Sequence, residues 1–135
     1  MTPRCLPFPL IGLLVSATCS DPLKSADLLG EWGGEHVGLA VTAAGATLEY
    51  DCASGTIDEP LKPDARGRFE ARGTFVPGKG GPLIEGEEPV RFPALHQGTT
   101  DGDTMTLRVT RLDTGESVGT FLLAKGVPPR VFHCL

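Results

Sequence analysis

The chain of 135 residues carries a formal net charge of −5, and its 12 Lys and Arg are scattered rather than grouped, so the basic footprint of a nucleic-acid binder is absent. With 18 Gly and 12 Pro beside 40% apolar residues, the composition indicates a domain with many turns rather than a disordered chain.

Met1-Thr2-Pro3-Arg4 is a short cationic start, followed by an uncharged apolar run from Leu6 to Val15 and the small residues Ser16-Ala17-Thr18. This is the layout of a secretory signal peptide. The run is shorter than the roughly 20 apolar residues that cross a bilayer, so no permanent span is expected. Residues 1–18 are read as signal peptide, 19–29 as a tether with a short helical turn, and 30–135 as a single β domain.

Four cysteines remain to be placed, and Cys5 lies in the leader. Val15-Ser16-Ala17 fits ordinary small-x-small cleavage, which leaves Cys19 as a free thiol near a new N-terminus. Leu14 to Cys19 also resembles a bacterial lipobox, which implies that Cys19 becomes an acylated first residue; Ser16 and Thr18 depart from that pattern. The expected location is extracytoplasmic: periplasm or outer membrane as a lipoprotein, or secreted. The membrane is reached only through an acyl group on Cys19. In an oxidising compartment Cys52 and Cys134 are natural partners. Their bond closes a loop of roughly 80 residues, worth on the order of 4 kcal/mol.

Ser25 to Leu29 suits one helical turn stopped by Gly30. Strand signals dominate after it. Trp32 to Thr42 reads as a first strand, Ala46 to Cys52 as a second with Leu48, Tyr50 and Cys52 on one face, and Thr56 to Leu61 as a short third. Arg68 to Phe75, Val90 to Thr99, Asp103 to Leu112, Ser117 to Ala124 and Arg130 to Cys134 complete the set, with one long Gly- and Pro-rich loop over 76–89. The prediction is an all-β fold: a small up-and-down antiparallel barrel of about eight strands, or alternatively a β-sandwich. Trp32 and the Val37, Leu39, Val41 face have opposite parity, and a bulge at Gly33-Gly34 is expected to turn both inward. In an even-stranded meander Trp32, Cys52 and Cys134 share one rim. Both sulfurs are then expected to be buried in the core and unreactive.

Gly30-Glu31-Trp32, a G-x-W opening the first strand after a helical turn, resembles the start of the calycins, the group of lipocalins, fatty-acid-binding proteins, avidins and periplasmic metalloprotease inhibitors. The wider pattern, from Trp32-Gly33-Gly34 to His133-Cys134-Leu135, is similar to small exported bacterial proteins. The resemblance implies that Trp32 closes one barrel end and stacks on an arginine. Arg111, with inward parity, is the expected partner.

His36, His96 and His133 lie far apart in sequence, in no metal spacing, and are read as surface residues. Glu85, Glu87 and Glu88, with Asp101 and Asp103, do not have the spacing of a calcium loop. No nucleophile elbow, phosphate loop or cofactor motif appears, so neither an enzyme nor a cofactor is expected. Tyr50, Phe69, Phe75, Phe92 and Met105 either fill the barrel or line a small cavity. The expected function is an exported binding module for a small apolar ligand, or alternatively an envelope protein that acts on a protein partner through its surface. Oligomeric state is open.

Overall fold

The computed structural model describes residues 23–78, 86 and 88–134. Its strands are β1 (Gly30–Gly34), β2 (Val37–Val41), β3 (Ala46–Tyr50), β4 (Ala53–Ile57), β5 (Arg68–Pro77), β6 (Phe92–Thr100), β7 (Thr104–Arg111) and β8 (Ser117–Lys125). Each pairs antiparallel with the next, and β8 returns to β1, giving a closed all-β barrel preceded by one 3-10 turn, Ser25–Leu28. The signal peptide, the lipobox and Cys19 lie outside the described residues. Among the described residues no helix is long and apolar enough to cross a membrane.

Strict alternation builds the wall. Leu48 and Tyr50 on β3, Phe69 and Ala71 on β5, and Met105, Leu107 and Val109 on β7 are buried, and the residues between them face out. Glycine makes room where rings must cross the narrow lumen. The Phe69 ring lies over Gly98, its register partner on β6, and the Phe121 ring lies over Gly119; a Cβ at either glycine would run into the ring.

The expected first strand, Trp32 to Thr42, is two strands. A tight turn at Glu35-His36, with His36 in the left-handed region at φ 69°, folds it into a hairpin in which Trp32 pairs with Leu39. Reversal of direction, not a glycine bulge, turns Trp32 and the valine face inward together. β3 stops at Tyr50, and Cys52 sits in the next turn at φ 53°. The expected last strand, Arg130 to Cys134, is not a strand; only a parallel bridge joins Glu35 to Arg130. The number eight is kept because one of these differences adds a strand and the other removes one.

The segment after β8 is a strap. The chain turns at Gly126, whose N–H donates to the Glu31 carbonyl, and passes over the outside of β1 and β2. Gly33 and Gly38, paired across that hairpin, let it lie flat: Val127 and Pro128 rest on Gly33, and Pro129 on Gly38. His36 N–H donates to the Arg130 carbonyl and Cys52 N–H to the Phe132 carbonyl, each at 2.8 Å. Both left-handed turn residues are thus bonded to the strap, which offsets a backbone conformation that non-glycine residues rarely adopt.

Cys134 then bonds to Cys52, with Cα atoms 4.8 Å apart and a separation of 82 positions in sequence. The expectation that both sulfurs are buried in the core is corrected. Cys52 is half-buried in a turn and Cys134 is exposed, because the strap arrives from outside the barrel. Replacing both cysteines by Ala should cost about 2 to 5 kcal/mol of unfolding free energy in urea denaturation, through the freed unfolded chain. A loss under about 0.5 kcal/mol would mean that the strap's hydrogen bonds alone hold the terminus.

Candidate functional site

The barrel's two ends differ. At one, the 3-10 turn is drawn across the opening: Leu28 is buried, its carbonyl accepts a 2.9 Å hydrogen bond from Trp32 Nε1, and Leu61 plugs the same end from the β4–β5 connection. Lys125, opposite Trp32 across the β1–β8 seam, donates from Nζ to the Asp27 carbonyl at 2.6 Å. The residue of β8 in register with Trp32 is thus a lysine that is tied to the 3-10 turn, not an arginine. Arg111 lies at the other end, where it is bound to Asp113 at 2.6 Å and stacked over the Phe92 ring at 3.6 Å, so the expected Trp32–Arg111 pair does not form. Lys125 was hidden because the expected strand order placed its strand next to last rather than beside β1.

Toward the other end burial falls away along each inward face. On β5 Phe69 and Ala71 are buried and Gly73 and Phe75 only partly so; on β8 Leu123 is buried while Phe121 and Val118 are partly exposed. This end is the mouth. Tyr50 stands in it, its ring 5.8 Å from Phe75 and 5.3 Å from Phe121, centroid to centroid. Of the aromatic residues expected in the interior, Tyr50, Phe75 and Phe92 line the mouth, whereas Phe69 and Met105 are core.

Two polar side chains are sealed inside without partners. The Tyr50 hydroxyl and both ring nitrogens of His96 are buried and make no hydrogen bond. The main chain of Ala71, the register partner of His96, is near the ring but outside hydrogen-bond geometry. Burial pushes the Tyr50 hydroxyl far above its ordinary range and pulls His96 down to about 4, so both are neutral at physiological pH. Burial of His96 overturns its reading as a surface residue: it faces the core between Ala71 and Val109. The alternation on β6, with Ala94, His96, Gly98 and Thr100 all buried, carried that signal, and a polar residue type masked it.

His36 and His133 do lie at the mouth end, but they form no site with each other. Asp51 accepts a hydrogen bond from His36 on one carboxylate oxygen and from the Phe132 N–H, at 2.8 Å, on the other. These contacts fasten the strap. Among the described residues no three His, Cys, Asp or Glu converge as metal ligands. Asp101 turns its carboxylate onto the N–H groups of Asp103 and Thr104 at 2.8 and 2.7 Å, which lowers its pKa and spends it on the β6–β7 turn. Glu85 and Glu87 lie outside the described residues, and Glu88 is exposed.

His96 makes stability depend on pH. Its folded pKa is below the unfolded one, so between about 6.5 and 4 the unfolded chain binds the proton and the native state does not. The contribution is present above pH 6.5 and is lost as pH falls toward 4, by up to about 3 kcal/mol. Denaturation midpoints should therefore drop over that window in the native sequence, and the His96→Phe variant should show a shallower drop. Parallel profiles would place the His96 proton uptake elsewhere.

Comparison with protein-family models, with curated proteins and with solved structures finds no match; the closed eight-strand antiparallel barrel is compatible with a calycin-like fold.

Proposed function

We propose that the protein is a binding module that holds a small, uncharged and largely apolar ligand in the mouth of the barrel. The observation that carries this reading is the buried, unpartnered hydroxyl of Tyr50 among the aromatic residues of the mouth. A buried donor or acceptor left without a partner costs about 1 to 3 kcal/mol, so such groups are kept where something else satisfies them. The Tyr50 hydroxyl is neutral, and Arg111 at the mouth is engaged by Asp113. A ligand with aromatic or aliphatic bulk and one hydroxyl, carbonyl or amine matches these surroundings; a carboxylate or phosphate does not.

The reading is tested with N-phenyl-1-naphthylamine, a neutral fluorophore with a single N–H. Saturable binding of one probe per chain is expected, weakened roughly tenfold by Tyr50→Phe, the loss of about one hydrogen bond. A sulfonated analogue should bind less well than the neutral probe. Absence of saturable binding by the neutral probe, or equal binding by Tyr50→Phe, removes the mouth as a ligand site.

The module is proposed to work outside the cytoplasm, tethered by an acyl group on Cys19. The Cys52–Cys134 bond suits an oxidising compartment, and the anchor gives Cys19 a use. Intact-mass measurement of membrane-extracted protein should show a chain beginning at Cys19 with added lipid. A chain beginning at Thr18 without lipid would make it a soluble exported protein instead.

A further inference from the structure

The chain enters the barrel at the closed end and is fastened there. The Leu23 side chain lies against Gly67, which precedes β5, and against Gly102 in the β6–β7 turn. Leu28 follows, buried under the end of the barrel, and its carbonyl holds Trp32 Nε1. Between the two leucines, the Lys24 N–H donates to the Asp27 carboxylate at 2.8 Å, and Lys125 Nζ donates to the Asp27 carbonyl. Leu23 is therefore a fixed point on the domain rather than the root of a free arm.

Only Ser20, Asp21 and Pro22 separate Leu23 from Cys19. At about 3.3 to 3.6 Å per residue, the steps from Cys19 to Leu23 reach about 14 Å when fully extended, and a thioether link adds a few ångströms. The barrel is taller than that. β5 runs 10 residues, from Arg68 next to Gly67 up to Pro77 at the mouth, and at about 3.3 Å per residue and a tilt near 40° it rises roughly 23 Å. An acyl group on Cys19 can therefore enter a bilayer beside the closed end or the adjoining part of the wall, but it cannot be brought round to the mouth. The β4–β5 and β6–β7 connections at the closed end carry five exposed carboxylates against two exposed cations, Lys62 and Arg66. Anionic headgroups do not draw such a surface down, so the tether sets its distance.

We propose that the mature domain stands on its membrane by the closed end, with the mouth held away from the bilayer that carries the anchor, so that the mouth opens to the aqueous compartment and not to that leaflet. This placement rests on the acyl group at Cys19 and is independent of what the mouth holds.

The experiment uses the full mature chain extracted from membranes, with Cys19 blocked by its lipid and Cys52 bonded to Cys134, so that one added cysteine is the single free thiol for a donor dye. That cysteine is placed by Ala44→Cys in the β2–β3 turn at the closed end, or by Glu116→Cys before β8 at the mouth, both exposed positions. In phosphatidylcholine vesicles with an acceptor dye on their headgroups, the height difference of roughly 23 Å should make energy transfer at least about twofold greater from Ala44→Cys than from Glu116→Cys. Adding about twenty Gly and Ser residues between Asp21 and Pro22 lengthens the tether's root-mean-square reach by about 25 Å and should remove most of that difference. If either labelled variant fails to fold, Ala43→Cys and Thr114→Cys give the same comparison in the same turns. Equal transfer from the two ends of the acylated short-tether chain, or stronger transfer from the mouth, overturns the placement while the anchor reading stands. A difference that survives the longer tether undiminished overturns the tether as its cause. A chain whose intact mass shows no lipid on Cys19 overturns anchor and placement together, since nothing then ties the closed end to a bilayer.

Discussion

Closure of the barrel hangs on two residue pairs and a strap. A sheet curled into a barrel loses its exposed edges only where first and last strands meet, and here that meeting is limited to Trp32 with Lys125 and Gly33 with Ala124. The segment after β8 reinforces it from outside. It bonds to Glu31 where it leaves β8, crosses the Gly33–Gly38 trough and ends on Cys52. A trough without side chains is what allows this: any Cβ at Gly33 would strike the Val127 and Pro128 main chain. The His36 and Cys52 turns that set the β1–β2 and β3–β4 hairpins are themselves bonded to the strap, so hairpin geometry, seam and terminus support one another.

The same construction gives the molecule a polarity. Trp32, Leu28 and Leu61 seal one end, with Lys125 fixing the 3-10 turn in place. Chain entry is at that end too, since Leu23 touches Gly67 and Gly102 in the neighbouring turns. The aromatic mouth, the disulfide and the left-handed turns lie at the other. Bulky rings cross the lumen above Gly98 and Gly119.

Alternation made most of the wall legible from sequence. Ala46 to Tyr50, Arg68 to Phe75 and Met105 to Val109 carry a period of two that only one face of a sheet can satisfy, and they appear as strands with that face inward. The first hairpin was not legible because its turn has no glycine or asparagine: Glu35-His36 looks like strand interior, and its left-handed residue depends on a bond to Arg130 from the far end of the chain. Arg130 to Cys134 alternates like a strand but has no free edge to pair with, so it ends as a strap. The Cys52–Cys134 pairing was legible from the expected export and the cysteine count. Its position on the outside was not, since that depends on where the strap runs. At the mouth the aromatic residues could be named but not sorted, and His96 was missed because burial of an unpaired imidazole is set by its neighbours across β5 and β7, not by its own residue type.

The bond from Cys52 to Cys134 also makes a covalent ring of the chain from β4 through β8 to the strap. The connection between β5 and β6 falls inside that ring. A protease that cuts it once therefore opens a circle without releasing a fragment: the two pieces stay joined through sulfur, with β1–β5 on one and β6–β8 on the other. Pulled from its N-terminal end, the chain can straighten only as far as Cys52, and the five strands beyond lie between the two bonded cysteines, shielded from the load until the ring is opened.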